Sequence, residues 1–316
     1  MAATTLYQPQ RGIIDWRSYG KLYDKTFDSI RLKKESVPRE GAQFFSHEDT
    51  NLETWKVGEV TPNLDTPQKN NDTDRIPLMA PLDGYSKSFT NVQRRAGFIV
   101  TRQAIEAQKT RQITAMLTGL PNSAARLEEI AYSSVFNGGF DTVTTGDGSY
   151  LFAADHNYED AQFGAWSNTA VAGSAFTTDS YFDAWLSFQQ RDGSNGTPEP
   201  RNPKYVYYPT GLAEDVMKVK GSTQYPQNSL NANMPELING FTPVIGHWLT
   251  DADAWFVVSE SEEAQRGLIM VWQTRPEFAA ISDSMNPDLV MGKRLRMSFS
   301  VGALHGRDIY GNSGVS

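Results

Sequence analysis

Glu53-Thr54-Trp55-Lys56-Val57-Gly58-Glu59-Val60 and Tyr85-Ser86-Lys87-Ser88-Phe89-Thr90 are the stretches on which the reading of this chain turns. The first has strand character. In the second, Tyr85 and Phe89 stand four apart and so fall on one face of a strand. Between them, Thr61 to Leu82 carries Pro62, Pro67, Pro77 and Pro81, with Asn70-Asn71-Asp72 near the middle. That is turn and loop chemistry. Together these stretches predict a long two-stranded hairpin with an irregular, polar tip. An isolated hairpin is marginal in water. Such an arm must lie on something, either its own body or another copy of the chain.

Upstream, residues 1–12 are polar and carry Pro9 and Gly12; then Tyr19, Leu22, Tyr23, Phe27 and Ile30 recur near helical spacing. The resulting short amphipathic helix packs either on its own domain or, as an arm, on a neighbouring subunit. Downstream, Ala96 to Thr101 reads as a strand, and Thr101 stands where it could cap a helix from Arg102 to about Thr118. Ile105, Ile113, Met116 and Leu117 form the expected apolar face of that helix. Gly119 and Leu120 interrupt it, and Pro121 suits the first turn of a second helix. The second is the clearest helix in the chain. Leu127, Ile130, Ala131, Ser134 and Val135 share one face, and Asn137-Gly138-Gly139 stops it.

Further on, a helix from about Asp179 to Gln190 is expected to turn Phe182, Trp185 and Leu186 inward. Lys204 to Tyr208 is a short aromatic strand. Gly211 to Lys220 is a helix with Leu212, Val216 and Val219 on one face, and Gly221 to Asn239 is an exposed polar loop. Phe241–Leu249 and Ala254–Ser259 read as two strands joined by a turn at Thr250-Asp251-Ala252-Asp253. Leu268–Trp272 is another strand. In the last element Leu295, Met297, Phe299 and Val301 alternate with Arg294, Arg296, Ser298 and Ser300, a strand with one buried face. Helices and strands mix without βαβ regularity, so the fold class is α+β.

The 316 residues suggest about two domains at ~150 residues each. The chain has no cysteine, which excludes disulfides, thiolate zinc sites and a cysteine nucleophile. The N-terminus lacks the basic start and apolar run of a secretory signal. No stretch approaches the ~20 apolar residues of a membrane span. These features predict a soluble protein that stays in the cell that makes it. A net charge of −8 argues against a dedicated nucleic-acid binder. Yet Gly84 to Arg126 holds seven basic residues, Lys87, Arg94, Arg95, Arg102, Lys109, Arg111 and Arg126, against Glu106 alone. They could contact nucleic-acid phosphates. They could equally be solvated faces or contacts with acidic neighbours.

Each candidate for chemistry fails a simple test. There is no phosphate loop, no GxGxxG after a strand and no Gly-x-Ser-x-Gly elbow. Gly146-Asp147-Gly148 reads as a turn. Asp155-His156 with Glu159 and Asp160 is the best metal or acid/base candidate, but its spacing matches no closed zinc pattern. His247, beside Trp248, reads as a packed core histidine. His47 and His305 have no partners that sequence can identify. Trp185, Trp248, Trp255 and Trp272 lie in apolar runs and read as core. No catalytic, cofactor or metal residue is therefore assigned.

Several strings, taken in order, resemble the tailed-phage major capsid proteins, specifically the Mu-like major head subunit family. They are Trp55-Lys56-Val57-Gly58-Glu59, Gly97-Phe98-Ile99-Val100-Thr101-Arg102-Gln103-Ala104-Ile105, and Leu151-Phe152-Ala153-Ala154-Asp155-His156-Asn157 followed by Trp166-Ser167-Asn168. The last is Trp248-Leu249-Thr250-Asp251-Ala252-Asp253-Ala254-Trp255, which resembles the family's late hairpin. The resemblance runs from about Tyr19 to Gly311 and implies a Hong Kong 97 type capsid fold. It places an N-terminal arm at 1–47, an extended hairpin or E-loop at 48–92, and a peripheral domain at 93–175 with a spine helix at about 121–137. An axial domain at 176–285 follows, and 286–316 returns to the peripheral domain.

The implied role is a shell subunit without enzymatic activity, forming hexamers and pentamers around double-stranded DNA. Implied partners are a scaffold, a decoration or cement protein and a portal, with no membrane. The implied location is the virion capsid, assembled in the bacterial host cytoplasm. No long helical scaffolding segment is seen at the N-terminus, so a separate scaffold or none is expected. The His156 string reads as a structural loop. Arg94, Arg95, Arg102, Lys109 and Arg111 face packaged DNA or neighbouring subunits. The alternative from another class is a soluble α+β enzyme or carbohydrate-binding protein using aromatic surface residues.

Overall fold

The computed structural model describes residues 25–27, 37–60, 83–107, 109–158, 163–170, 172–193, 196–221, 240–260, 266–281 and 288–314. Most of the expected N-terminal arm, the hairpin tip at 61–82, the loop at 222–239 and the candidate ligands Glu159 and Asp160 lie outside them.

In chain order the strands are β1 (Ser46–Asp49), β2 (Thr54–Val60), β3 (Asp83–Thr90), β4 (Val92–Thr101), β5 (His156–Asn157), β6 (Ala165–Trp166), β7 (Pro203–Tyr208), β8 (Thr242–Ile245), β9 (Trp255–Ser259), β10 (Leu268–Ala280), β11 (Leu289–Ala303) and β12 (Ile309–Asn312). The α-helices are α1 (Arg102–Glu106), α2 (Thr110–Asn137), α3 (Thr178–Gln189) and α4 (Ala213–Gly221). Helices and strands mix as α+β. The chain divides into two units. One is built from Gln93–Glu128 and Thr274–Ser298 and includes Phe27. The other comprises Arg39–Val92, Glu129–Gln273 and Phe299–Ser316.

The larger unit is organised by a sheet of order β12-β9-β7-β8. Its sequence explains its position. Side chains alternate across a strand, and β7 reads Tyr205-Val206-Tyr207-Tyr208. Val206 and Tyr208 join a buried cluster with Tyr181 and Phe188 of α3, Val216 of α4, and Phe176 and Phe241. Tyr205 and Tyr207 turn the other way, onto Phe44 at 5.6 and 5.3 Å between ring centroids. In β9, Trp255 and Val257 face the first cluster, while Phe256 meets Phe136 of α2 at 5.1 Å and Phe152 at 5.2 Å. Both faces of the sheet are thus covered, and all five residues of β9 are buried.

A second sheet has the order β1-β10-β11-β4. In the larger unit β1 runs parallel to β10, with Ser46 opposite Ile269 and Asp49 opposite Trp272. In the smaller unit Gly97 of β4 lies so close to β11 that a Cβ there would stand 2.9 Å from the Lys293 carbonyl. Phe27 meets Phe278 of β10 edge-on at 5.6 Å.

Several expectations are corrected. One helix, α2, runs from Thr110 to Asn137 straight through Pro121. Proline removes one helical hydrogen bond, but Leu117, Leu120, Pro121 and Ala124 are all buried along one side. That burial holds the helix through the break. The hydroxyl of Ser123 bonds the Leu120 carbonyl at 2.7 Å. Thr101 makes no side-chain cap, and the helix after it is only five residues long. Near the end of α2 the inward residues are Ala131, Tyr132, Ser133, Val135 and Phe136, so Ala131 and Val135 are inside as expected, whereas Ile130 is exposed and Ser134 turns out. Met116 is exposed as well.

In α3 the buried residues are Tyr181, Ala184 and Phe188. Phe182 and Leu186 are exposed, and Phe182 stacks on the half-buried Trp185 at 5.8 Å. Two apolar stripes overlap on this helix, and the aromatic neighbours Phe176 and Phe241 select the one containing Tyr181. The expected hairpin across Thr250–Asp253 is not one. β7 lies between β8 and β9, pairing parallel with the first and antiparallel with the second. Trp255 and Trp272 are core residues, as expected, but Trp185 and Trp248 are only half-buried. Ser298, expected on the polar face of β11, is buried.

Candidate functional site

The predicted hairpin is β2 paired antiparallel with β3, Thr54 opposite Thr90 and Gly58 opposite Ser86. Its two faces differ. Thr54, Lys56, Gly58, Ser86, Ser88 and Thr90 point to solvent. Trp55, Val57 and Phe89 pack on Ile269, Val271 and Leu304 of the same unit. Three polar contacts add to that packing: Trp55 Nε1 donates to Glu48 at 2.7 Å, Lys87 to the Thr144 carbonyl, and Arg307 to Glu59. The described root of the hairpin therefore lies on its own body.

Behind Glu59 stands a polar network that the sequence did not signal. Arg307 pairs with Glu59, and Arg201 pairs with Asp308 and Glu199. Arg191, 5% exposed, donates to the carbonyls of Gly306, Arg307 and Ile309. These arginines stand alone in loops, and only tertiary folding gathers them. His305 lies beside them; burial first, then the surrounding arginines, push its pKa well below the usual histidine value.

The best sequence candidate for chemistry becomes a structural contact. His156 is buried, with Nδ1 2.8 Å from Asp147 Oδ2, Nε2 3.3 Å from the Leu151 carbonyl, and its ring stacked on Trp166 at 4.4 Å. Asp147 sits in the expected turn, where Gly148 takes a φ of +87° that a side chain would resist. Burial opposes ionisation of Asp147. Hydrogen bonds from His156 and Thr145, the histidine charge and the Ser149 N–H outweigh it and hold the carboxyl at about 2. A depressed carboxyl contributes stability above its unfolded pKa and loses it as pH falls through the folded value. Asp147→Asn is therefore expected to cost about 2 kcal/mol at neutral pH. It should also flatten the loss of stability between roughly pH 4 and pH 2, read from denaturant unfolding across pH. An unchanged acid profile would refute this account.

His247, expected in the core, is 55% exposed; its N–H donates to Glu40 Oε2 at 2.9 Å, and Nδ1 pairs with the same carboxylate. The buried Glu129 of α2 accepts from the amides of Glu40 and Gly41 at 3.1 and 2.9 Å. Burial raises its pKa. His47 bonds the Ala42 carbonyl at 3.3 Å. Among the described residues, no group of three His, Asp or Glu side chains could hold a metal, and no helix is long and apolar enough to cross a membrane.

The basic residues fall mainly in the smaller unit. Arg95, Arg102, Lys109, Arg111 and Arg126 are exposed, and Arg94 is half-buried, which lowers its pKa. Lys87 belongs instead to the larger unit, turned onto Thr144, where burial lowers its pKa against the pull of Asp147. Between Asn91 and Leu127 the sole carboxylate is Glu106, and Arg102 holds it at 2.9 Å. Glu128 and Glu129 are buried. By sequence, 93–128 and 274–298 carry ten Lys/Arg against five Asp/Glu, whereas the segments of the larger unit carry 12 against 28.

Residues 86–311 match the family model described as phage capsid protein. No curated protein matches the chain. Among solved structures, the chain is similar to the capsid of Cyanophage P-SCSP1u, at 10% identity and a TM-score of 0.53, covering 89% of this chain and 90% of that one. It is similar to a chain of Microbacterium phage Oxtober96, at 11% identity and 0.50, covering 89% and 94%. It also resembles a chain from the capsid of bacteriophage JBD30 decorated with minor capsid protein trimers, at 13% identity and 0.51, covering 69% and 93%. These likenesses show a shared fold, the Hong Kong 97 type that the sequence strings implied.

Proposed function

The chain belongs to the phage capsid protein family, and from that premise we propose how it works: as the major head subunit of a tailed phage, self-assembling through hexamers and pentamers into an icosahedral shell around double-stranded DNA. The family match over more than two thirds of the chain is the observation that carries this reading. The chain is a structural protein of the virion capsid, and we assign it no enzymatic step. Assignment to the Mu-like subgroup rests on the local strings and is part of the proposal. So are the arm at 1–47, the E-loop at 48–92, the peripheral and axial domains, assembly in the host cytoplasm, and scaffold, portal and cement partners. A shell subunit must present surfaces that close on copies of itself.

Velocity sedimentation and negative-stain microscopy of the purified chain test the reading. Rings, capsomers or shells are expected. A monomer that stayed unassembled even with phage lysate proteins would sink it.

Within this reading, Arg94, Arg95, Arg102, Lys109 and Arg111 face the packaged DNA. The support is electrostatic. They stand in a stretch of sequence whose sole carboxylate, Glu106, is held by Arg102, and a polyanion is attracted to a basic stretch of that kind. Charge reversal of Arg94, Arg95 and Arg111 together is expected to leave shell yield unchanged and to lower the DNA packaged per shell. Equal DNA content would count against a DNA-facing role. Lost shells with a normal fold would move these residues to contacts between subunits.

A further inference from the structure

Arg191 is a buried cation that pairs with no carboxylate among the described residues. A buried guanidinium costs several kcal/mol unless it is paired. Three acids of the network are taken, Glu59 by Arg307, and Asp308 and Glu199 by Arg201, while Asp192 acts on Tyr158. Burial, then Arg201 and Arg307, push the Arg191 pKa down, and the groups that oppose them are the phenols of Tyr310 and Tyr158. One amino group, Nη1, is spent on backbone carbonyls. The opposite edge, Nε and Nη2, is buried and meets no acceptor among the described residues. That edge presents two parallel N–H groups, the geometry that grips an anion.

Two more buried donors in the same network lack acceptors among the described residues, Trp166 Nε1 and Arg307 Nε. The Trp166 ring joins them. The guanidinium carbons of Arg191 and Arg307 lie 5.7 and 5.6 Å from its centroid. The opposing side chain is Phe188, 4.3 Å from Arg191, which excludes water without supplying charge. A cluster with several unspent N–H donors, set against an aromatic wall, offers hydrogen bonds to a small anion.

We propose that this cluster binds a small inorganic anion, a halide or a phosphate-like oxyanion, on the Nε/Nη2 edge of Arg191, with Trp166 Nε1 and Arg307 Nε as further donors. The anion accepts from the guanidinium edge that no described residue meets. Because Arg307 also holds Glu59 of the hairpin, the bound anion steadies the root of β2. The inference is independent of the capsid reading and would hold for the isolated subunit.

The test is thermal unfolding of the full chain in chloride, phosphate and gluconate at matched pH and ionic strength. Chloride or phosphate is expected to raise the melting temperature by about 2–4 °C over gluconate at saturation. A rise with chloride alone identifies a halide site, and a rise with phosphate alone an oxyanion site. Arg191→Met should abolish the difference. Trp166→Phe keeps a ring but loses one donor, so it should shrink the difference. If Arg191→Met does not fold, Trp166→Phe decides. Identical melting in all three salts, or an anion response that survives either substitution undiminished, overturns the proposal.

Discussion

Phe136→Ala is expected to destabilise the larger unit by about 3–5 kcal/mol, the range for truncating a fully buried phenylalanine. Phe136 is completely buried near the end of α2. Its ring meets Phe44 at 5.9 Å, Phe45 at 6.2 Å, Tyr207 at 5.0 Å and Phe256 at 5.1 Å. These partners come from the chain entry before β1, from β7 and from β9. The ring is therefore the point where the long helix is joined to one face of the central sheet. Its neighbours are themselves rigid aromatics, which cannot collapse into the void, so the upper part of the range is expected. Each aromatic pair adds about 0.5–1.5 kcal/mol beyond area burial. Urea unfolding should show a lower midpoint with an unchanged slope. A loss under about 1 kcal/mol would mean that the helix end is not packed this way.

Glu59→Ala is expected to cost about 3–5 kcal/mol, because it strips the partner from a buried guanidinium. Arg307 is 4% exposed and cannot turn to water. The loss should be local in its first effect. With Glu59 gone, the β2 side of the hairpin root keeps the Trp55 and Val57 packing but loses its ionic contact. Hydrogen exchange at Lys56 to Gly58 should therefore accelerate more than exchange in β9. The control is a double substitution, Glu59→Leu with Arg307→Met. Removing both charges and keeping the volume should recover most of the loss. If the double variant were as unstable as the single one, packing and not charge would account for the contact.

Much of the architecture was legible before any coordinates. The period of two in Leu295, Met297 and Phe299 placed three buried residues on β11. The strand character of Trp55 and Phe89 announced the pairing of β2 with β3, and the Asn137-Gly138-Gly139 stop is where α2 ends. Leu212, Val216 and Val219 were assigned to one buried face and are found in one. These signals are local, because they depend on backbone propensity and on the repeat of apolar residues along one element.

The failures share one physical cause. On α3, Phe182–Trp185–Leu186 and Tyr181–Ala184–Phe188 are both apolar stripes, and nothing in the helix itself prefers one. Pro121 breaks an isolated helix, but burial of Leu117, Leu120 and Ala124 keeps this one whole. β8 and β9 follow each other in sequence with a turn between, yet β7 takes the place between them in space. His247 has apolar neighbours in sequence and an acidic one, Glu40, in the fold.

By itself, then, the sequence determined the type of the longer elements, the hairpin, the α+β class, the absence of cysteine chemistry and the basic stretch from Gly84 to Arg126. The tertiary structure alone decided which stripe of each helix is inside, which strands are neighbours, and which charges meet. Glu59 and Arg307 stand 248 positions apart. Arg191 and the carbonyl of Ile309 stand 118 apart. No local pattern encodes such pairs. Their free energy comes from removing charge and apolar surface from water together, and that happens only when distant segments share one interior.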